Sequence, residues 1–179
     1  MMTDQQLLEL AAGFGFDHVG MLNVSALEFN PAVRDMCAAD RCHSYGKCWT
    51  CPPHCGTLEE FAAKASTYHR GIIVQSTGQM EDDYDFETMM DTEALQHERF
   101  RDITAKVREV YPNCMPLSAG ACRICKQCAC PDEPCRFPEL VIPSMEASGL
   151  NVSKTCEDSG IGYYYGPKTI TFTCCILTD

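Results

Sequence analysis

Gly120-Ala-Cys122-Arg-Ile-Cys125-Lys-Gln-Cys128-Ala-Cys130-Pro-Asp-Glu-Pro-Cys135-Arg-Phe-Pro138 has no apolar period of either helix or strand. Its regularity lies in its thiols, spaced C-x2-C-x2-C and followed by Cys135. Each two-residue gap lets the chain turn and present the next sulfur, so three thiolates can wrap one cubane, and a fourth cysteine near proline closes the site. Zinc favours two knuckles of two ligands over three ligands in one tight run. The spacing therefore points to a [4Fe–4S] cluster held by Cys122, Cys125, Cys128 and Cys135. Zinc is the alternative metal, and Cys130 the alternative fourth ligand. A loop fixed by ligation is grafted onto whatever folds around it.

Outward from this loop the pattern becomes regular. Upstream, Phe100, Ile103, Val107 and Val110 recur at steps of three and four, which predicts a helix over about 88–110 ended by Pro112. Met115 to Ser118 then reads as a short strand leading into the cysteines. Downstream, Pro143-Ser-Met-Glu-Ala147 suggests a short helix. Near the end, Ile170, Phe172, Cys174 and Ile176 alternate with Thr171, Thr173 and Cys175 as in a half-buried strand. Cys114, Cys174 and Cys175 read as structural, since a free cysteine on an apolar face behaves as a small hydrophobe.

The N-terminal half follows the same grammar. Thr3 caps a helix over about 4–12 that stops at Gly13. His18 to Val24 and Gly71 to Ser76 read as buried strands, and Pro31 opens a brief helix into Cys37. Thr57-Leu-Glu-Glu60 is a capping box for a helix over about 58–68. The expected fold is α+β: a single domain over 1–179 with a small mixed sheet, flanking helices and two cysteine-rich loops.

The second such loop lies at residues 37–56, which carry Cys37, Cys42, Cys48, Cys51 and Cys55 with no apolar period. Spacing favours Cys42, Cys48, Cys51 and Cys55 as a four-thiolate set for a second cluster, with Cys37 spare. His43 and His54 flank them and would suit zinc. Cys156 is a distant candidate to complete the site.

Composition limits the function. The chain holds 14 cysteines in 179 residues. Met1 to Phe16 has neither the basic region nor the apolar run of a signal peptide, and no apolar stretch is long enough to span a membrane. The expected compartment is the reducing cytoplasm, where metal rather than disulfide accounts for clustered thiols. A net charge of −11 argues against nucleic acid. Segments 34–55 and 122–136 invert this balance, with six Lys and Arg against four Asp and Glu. Cations stabilise thiolates and reduced clusters. Residues 81–98 carry eight acids and no Lys or Arg, a pattern read as a solvated surface. No nucleotide-binding or hydrolase motif is present.

The runs Cys42-His-Ser-Tyr-Gly-Lys-Cys-Trp-Thr-Cys51-Pro-Pro, Leu117-Ser-Ala-Gly-Ala-Cys122-x2-Cys125-x2-Cys128 and Pro143-Ser-Met-Glu-Ala147 resemble the cysteine-rich predicted metal-binding family known as domain of unknown function 2284. That resemblance implies metal binding in an anaerobe and places recurrent thiols at Cys37, Cys42 and Cys51. It implies no particular reaction. Gly15-Phe-Asp-His-Val-Gly20 is similar to the opening of cobalamin-dependent queuosine-precursor reductases, which also carry two [4Fe–4S] clusters. The expected function is electron transfer to a redox partner protein. The alternatives are a small reductase or activating factor with an open cluster site, or a corrinoid-linked partner, and a zinc-binding structural protein.

Overall fold

A computed structural model of the chain describes residues 1–179. Its centre is the long antiparallel pair β2 (Arg70–Gln79) and β4 (Thr169–Thr178), in register from Arg70 opposite Thr178 to Gln79 opposite Thr169. β1 (His18–Met21) flanks β2 and β3 (Met115–Leu117) flanks β4, giving the order β1-β2-β4-β3. Every pairing is antiparallel. The α+β class is as expected, but the sheet is antiparallel throughout and not mixed, because each neighbouring pair runs in opposite directions. Pro116, which has no N–H to give to a ladder, sits on the edge strand, where that loss is tolerated. Gly71 is required in β2, since a Cβ there would stand 2.7 Å from the carbonyl oxygen of Ile176.

Helices cover both faces of the sheet. On one side α1 (Asp4–Gly13) and α4 (Phe86–Val110) place Leu7, Ala11, Phe100, Ile103 and Val107 against Ile72, Val74, Cys174 and Ile176. On the other, α3 (Leu58–Ala65), α5 (Met145–Ser148) and α6 (Val152–Asp158) bring Ala65, Met145 and Cys156 against Ile73, Cys175 and Leu177. A fully buried large side chain of this kind contributes roughly 1.5–3 kcal/mol. The second half of β4 is consequently buried on both faces rather than half-buried, and Cys174 and Cys175 are both fully enclosed, one in each core.

Local signals set the helix ends. Thr3 and Gln6 cap α1 reciprocally, and Thr57 and Glu60 do the same for α3. α4 starts two residues before the expected Thr88 because the Asp85 carboxylate accepts from the Thr88 N–H at 3.0 Å. α2 (Pro31–Ala38) opens with proline behind an Asn30 cap.

The path of the chain gathers both cysteine loops at α5. The segment between β3 and α5 is an excursion whose two ends are tied together. Ser118 N–H donates to the Pro143 carbonyl at 2.8 Å, and Met145 N–H donates to the Ser118 carbonyl at 2.8 Å. The other loop runs from α2 to α3, and α2 packs on α5 through Asn30 N–H, which donates to the Gly149 carbonyl at 2.8 Å. Two segments some eighty residues apart in sequence thus emerge side by side.

Candidate metal centre

The two loops are joined by specific bonds. Cys122 N–H donates to Thr50 Oγ1 at 3.2 Å, and Trp49 Nε1–H donates to the Glu133 carbonyl at 3.1 Å. Within the second loop, Arg136 spans back to donate to the Gln127 carbonyl at 3.0 Å. Within the first, Gly46 N–H donates to the Pro52 carbonyl at 2.9 Å, and Cys51 N–H donates to the Cys48 carbonyl at 3.0 Å.

Between the loops lies an open cavity of about 430 Å³. Five thiols line it: Cys122, Cys125, Cys128 and Cys135 from the second loop, and Cys48 from the first. Lys47, Arg123 and Lys126 line it too, so the excess of cations read in these segments surrounds the sulfurs. Cys130 is buried and does not line the cavity, its Sγ 3.9 Å from the Gly46 carbonyl.

The first cysteine group meets two surfaces. Cys48 and Cys51 pack with Ala121, Cys122 and Cys128. Cys37 and Cys55 lie against α5, with Cys37 Sγ 3.9 Å from the Glu146 carbonyl and Cys55 Sγ 3.7 Å from the Ala147 carbonyl. Cys42 is exposed. Within the group, Cys42 acts electrostatically on both Cys37 and Cys51, and Cys48 acts on Cys55. Cys156 is brought to neither loop. It is fully buried against the sheet, within 3.5 Å of Gln75 Nε2. Cys114, Cys174 and Cys175 also lie in the core.

Electrostatics separate these thiols. The Cys51 thiol and the Thr50 hydroxyl, whose Oγ1 lies 3.2 Å from Cys48 Sγ, hold Cys48 below the ordinary thiol range. The same pairing pushes Cys51 up. Burial raises Cys37, Cys55 and Cys122, and the Glu146 carboxylate adds to the rise at Cys37. Burial also raises the carboxyl of Glu146.

Residues outside the cysteine patterns complete the surroundings. Glu93 on α4 belongs to the acidic run read as a solvated surface, yet its side chain is only 17% exposed. It meets Arg123 at 3.3 Å and lies 3.8 Å from His97 Nε2. The His97 ring, then the Arg123 guanidinium, hold its carboxyl below the usual range. Glu93 thereby ties the second cysteine loop to the longest helix. Its spacing in the sequence gives no hint of this. Thr50 sits inside the Cys48-Trp-Thr-Cys51 run, and Glu146 inside the Pro143–Ala147 motif.

No three His, Cys, Asp or Glu side chains converge tightly enough to hold one metal ion. Four thiolates on zinc stand about 3.8 Å from one another, from Zn–S bonds of about 2.3 Å in a tetrahedron. A cubane is several atoms across, and its thiolates stand further apart. Five soft donors with three cations around an open cavity suit a metal centre rich in thiolates.

A family model described as "Predicted metal-binding protein (DUF2284)" matches residues 20–178, and the chain belongs to that family. No curated protein and no solved structure matches it. No helix is long and apolar enough to cross a membrane.

Proposed function

From membership of this family as premise, we propose that the chain is an iron–sulfur protein of the reducing cytoplasm. In this reading residues 1–179 fold as one metal-binding domain that carries one or two [4Fe–4S] clusters and passes electrons to a partner enzyme. The observation that carries the reading is the single cavity on which thiols of both loops converge. A bound cluster of this type supplies one-electron chemistry at a potential set by charge, hydrogen bonds and solvent exposure.

The chain's own residues supply those settings. Cys122, Cys125 and Cys128 would hold the cluster, with Cys135, which lines the cavity where Cys130 does not, as the fourth ligand. Lys47, Arg123 and Lys126 offset the negative charge of thiolates. Thr50 fixes the first loop against Cys122. Glu93 holds Arg123 at the cavity mouth. The cavity is open to solvent on one side, as transfer to a docked partner requires.

Metal analysis of anaerobically prepared protein tests this. About eight irons and eight acid-labile sulfides per chain correspond to two cubanes, and about four of each to one. Absorbance near 400 nm and a reduced-state EPR signal accompany them. Zinc without iron or sulfide contradicts the reading and favours a structural zinc protein.

A further inference from the structure

In the iron–sulfur reading, Cys122, Cys125, Cys128 and Cys135 supply the four ligands that one cubane takes. Cys48 lines the same cavity as a surplus fifth thiol. Cys51 packs beside it, against Ala121, Cys122 and Cys128. No third His, Cys, Asp or Glu joins these two thiols closely enough to hold a metal ion. What remains is a pair.

Cys48-Trp49-Thr50-Cys51 forms one tight turn, closed by the Cys51 N–H donating to the Cys48 carbonyl at 3.0 Å. The end residues of such a turn lie within about 7 Å of each other at Cα, a separation that a disulfide bridges. A side-chain hydrogen bond between the two thiols is the first influence on the acidity of each. Thr50 Oγ1 stands 3.2 Å from Cys48 Sγ and accepts from Cys122 N–H at 3.2 Å, which pins the turn to the second loop. Access separates the two thiols. Cys48 lines the open cavity and Cys51 does not, and the residues are only 5% and 8% exposed.

We infer that Cys48 and Cys51 are a redox-active dithiol that reduces low-molecular-weight disulfides entering the cavity. The Cys48 thiolate attacks one sulfur of a disulfide RSSR, so that a Cys48–SR bond forms, the RS–SR bond breaks and one RS⁻ leaves. The Cys51 thiolate then attacks Cys48 Sγ, forming the Cys48–Cys51 disulfide and expelling the second RS⁻. The substrate gains two electrons, the dithiol loses two, and the protons given up by Cys48 and Cys51 end on two RSH. An external dithiol restores the pair by the same exchange in reverse. The substrate is small because neither thiol reaches the outer surface and the cavity, about 430 Å³, is of the size that takes small molecules. This activity goes beyond the iron–sulfur reading, and it removes Cys48 and Cys51 from any second cluster.

The test is thiol–disulfide exchange of the full chain, prepared anaerobically, with bis(2-hydroxyethyl) disulfide as the probe. After acid quenching and alkylation, peptide mass mapping should find one new bond, Cys48–Cys51, and about two equivalents of mercaptoethanol released per chain. Cys51→Ser should stop at a mixed disulfide on Cys48 and release about one equivalent. Cys48→Ala should abolish release and leave iron per chain unchanged. Oxidised thioredoxin in place of the probe should react more slowly. The wild-type map decides even where a variant does not fold: no bridge, or a bridge from Cys48 to a residue other than Cys51, overturns the inference. Loss of iron in Cys48→Ala also overturns it, since Cys48 is then a ligand, and faster reaction with the protein disulfide overturns the small substrate. A chain without iron and sulfide that still forms the Cys48–Cys51 bond defeats the iron–sulfur reading and leaves this inference standing.

Discussion

The sheet and the loop pair hold the same residue type by different means. Cys114, Cys156, Cys174 and Cys175 sit among Phe100, Ile103, Met145 and Leu177, where burial pushes their thiols up and Cys174 to about 12. Cys48, Cys122, Cys125, Cys128 and Cys135 instead line a cavity with Lys47, Arg123 and Lys126, in segments with few apolar contacts of their own. The comparison teaches that packing sets the position of a core thiol, whereas the loop thiols are brought together by backbone bonds and left facing space. In the proposed reading, stability of the fold and capacity for metal fall to separate regions.

The largest effect that would break this division comes from replacing Cys122, Cys125, Cys128 and Cys135 together by serine. The expected outcome is loss of about four irons per chain, with the far-ultraviolet circular dichroism of the sheet and helices retained. Iron content equal to wild type would show that these thiols are not ligands.

A core thiol should respond in the opposite way. Cys175 is fully buried, so Cys175→Ser leaves a hydroxyl in an apolar core and should cost about 1–3 kcal/mol. Chemical denaturation measures this cost, while iron bound per folded chain should not change. A drop in iron at unchanged stability would reverse the assignment.

The smallest effect sharpens the comparison through pH. Burial holds the metal-free thiols of Cys37, Cys55 and Cys122 above their ordinary value. Ligation requires thiolates and releases protons, so iron loading should weaken as pH falls through those raised values, which lie above about 8.5. The metal-free fold has the opposite sign. Each raised thiol contributes stability that is fully present below its unfolded value of about 8.5 and is lost as pH rises through the higher folded value. Loading curves and denaturation midpoints between about pH 7 and pH 10 should therefore diverge.

Much of the fold is legible in the sequence because its signals are local. Thr3, Thr57 and Pro31 mark helix starts, the three-and-four spacing of Phe100, Ile103 and Val107 marks α4, and the alternation at 170–176 marks β4. α6 escapes notice because it is short and its Asn151 cap follows Gly149 and Leu150 without an apolar repeat. The thiols themselves are legible as candidate ligands, but their grouping is not. Pairing Cys48 with the 122–135 loop depends on the bridge between Ser118 and Ser144 and on the packing of α2 against α5, contacts between segments far apart in the chain. The same holds for Glu93, whose neighbour Arg123 arrives thirty residues later.

Amide hydrogen exchange, compared between iron-loaded and chelator-stripped protein, tests most directly whether ligation holds the loops while packing holds the sheet. Protection should fall in residues 37–56 and 119–142 together when metal is removed, and stay unchanged along β2 and β4. Equal protection of both loops in the two samples would contradict the account.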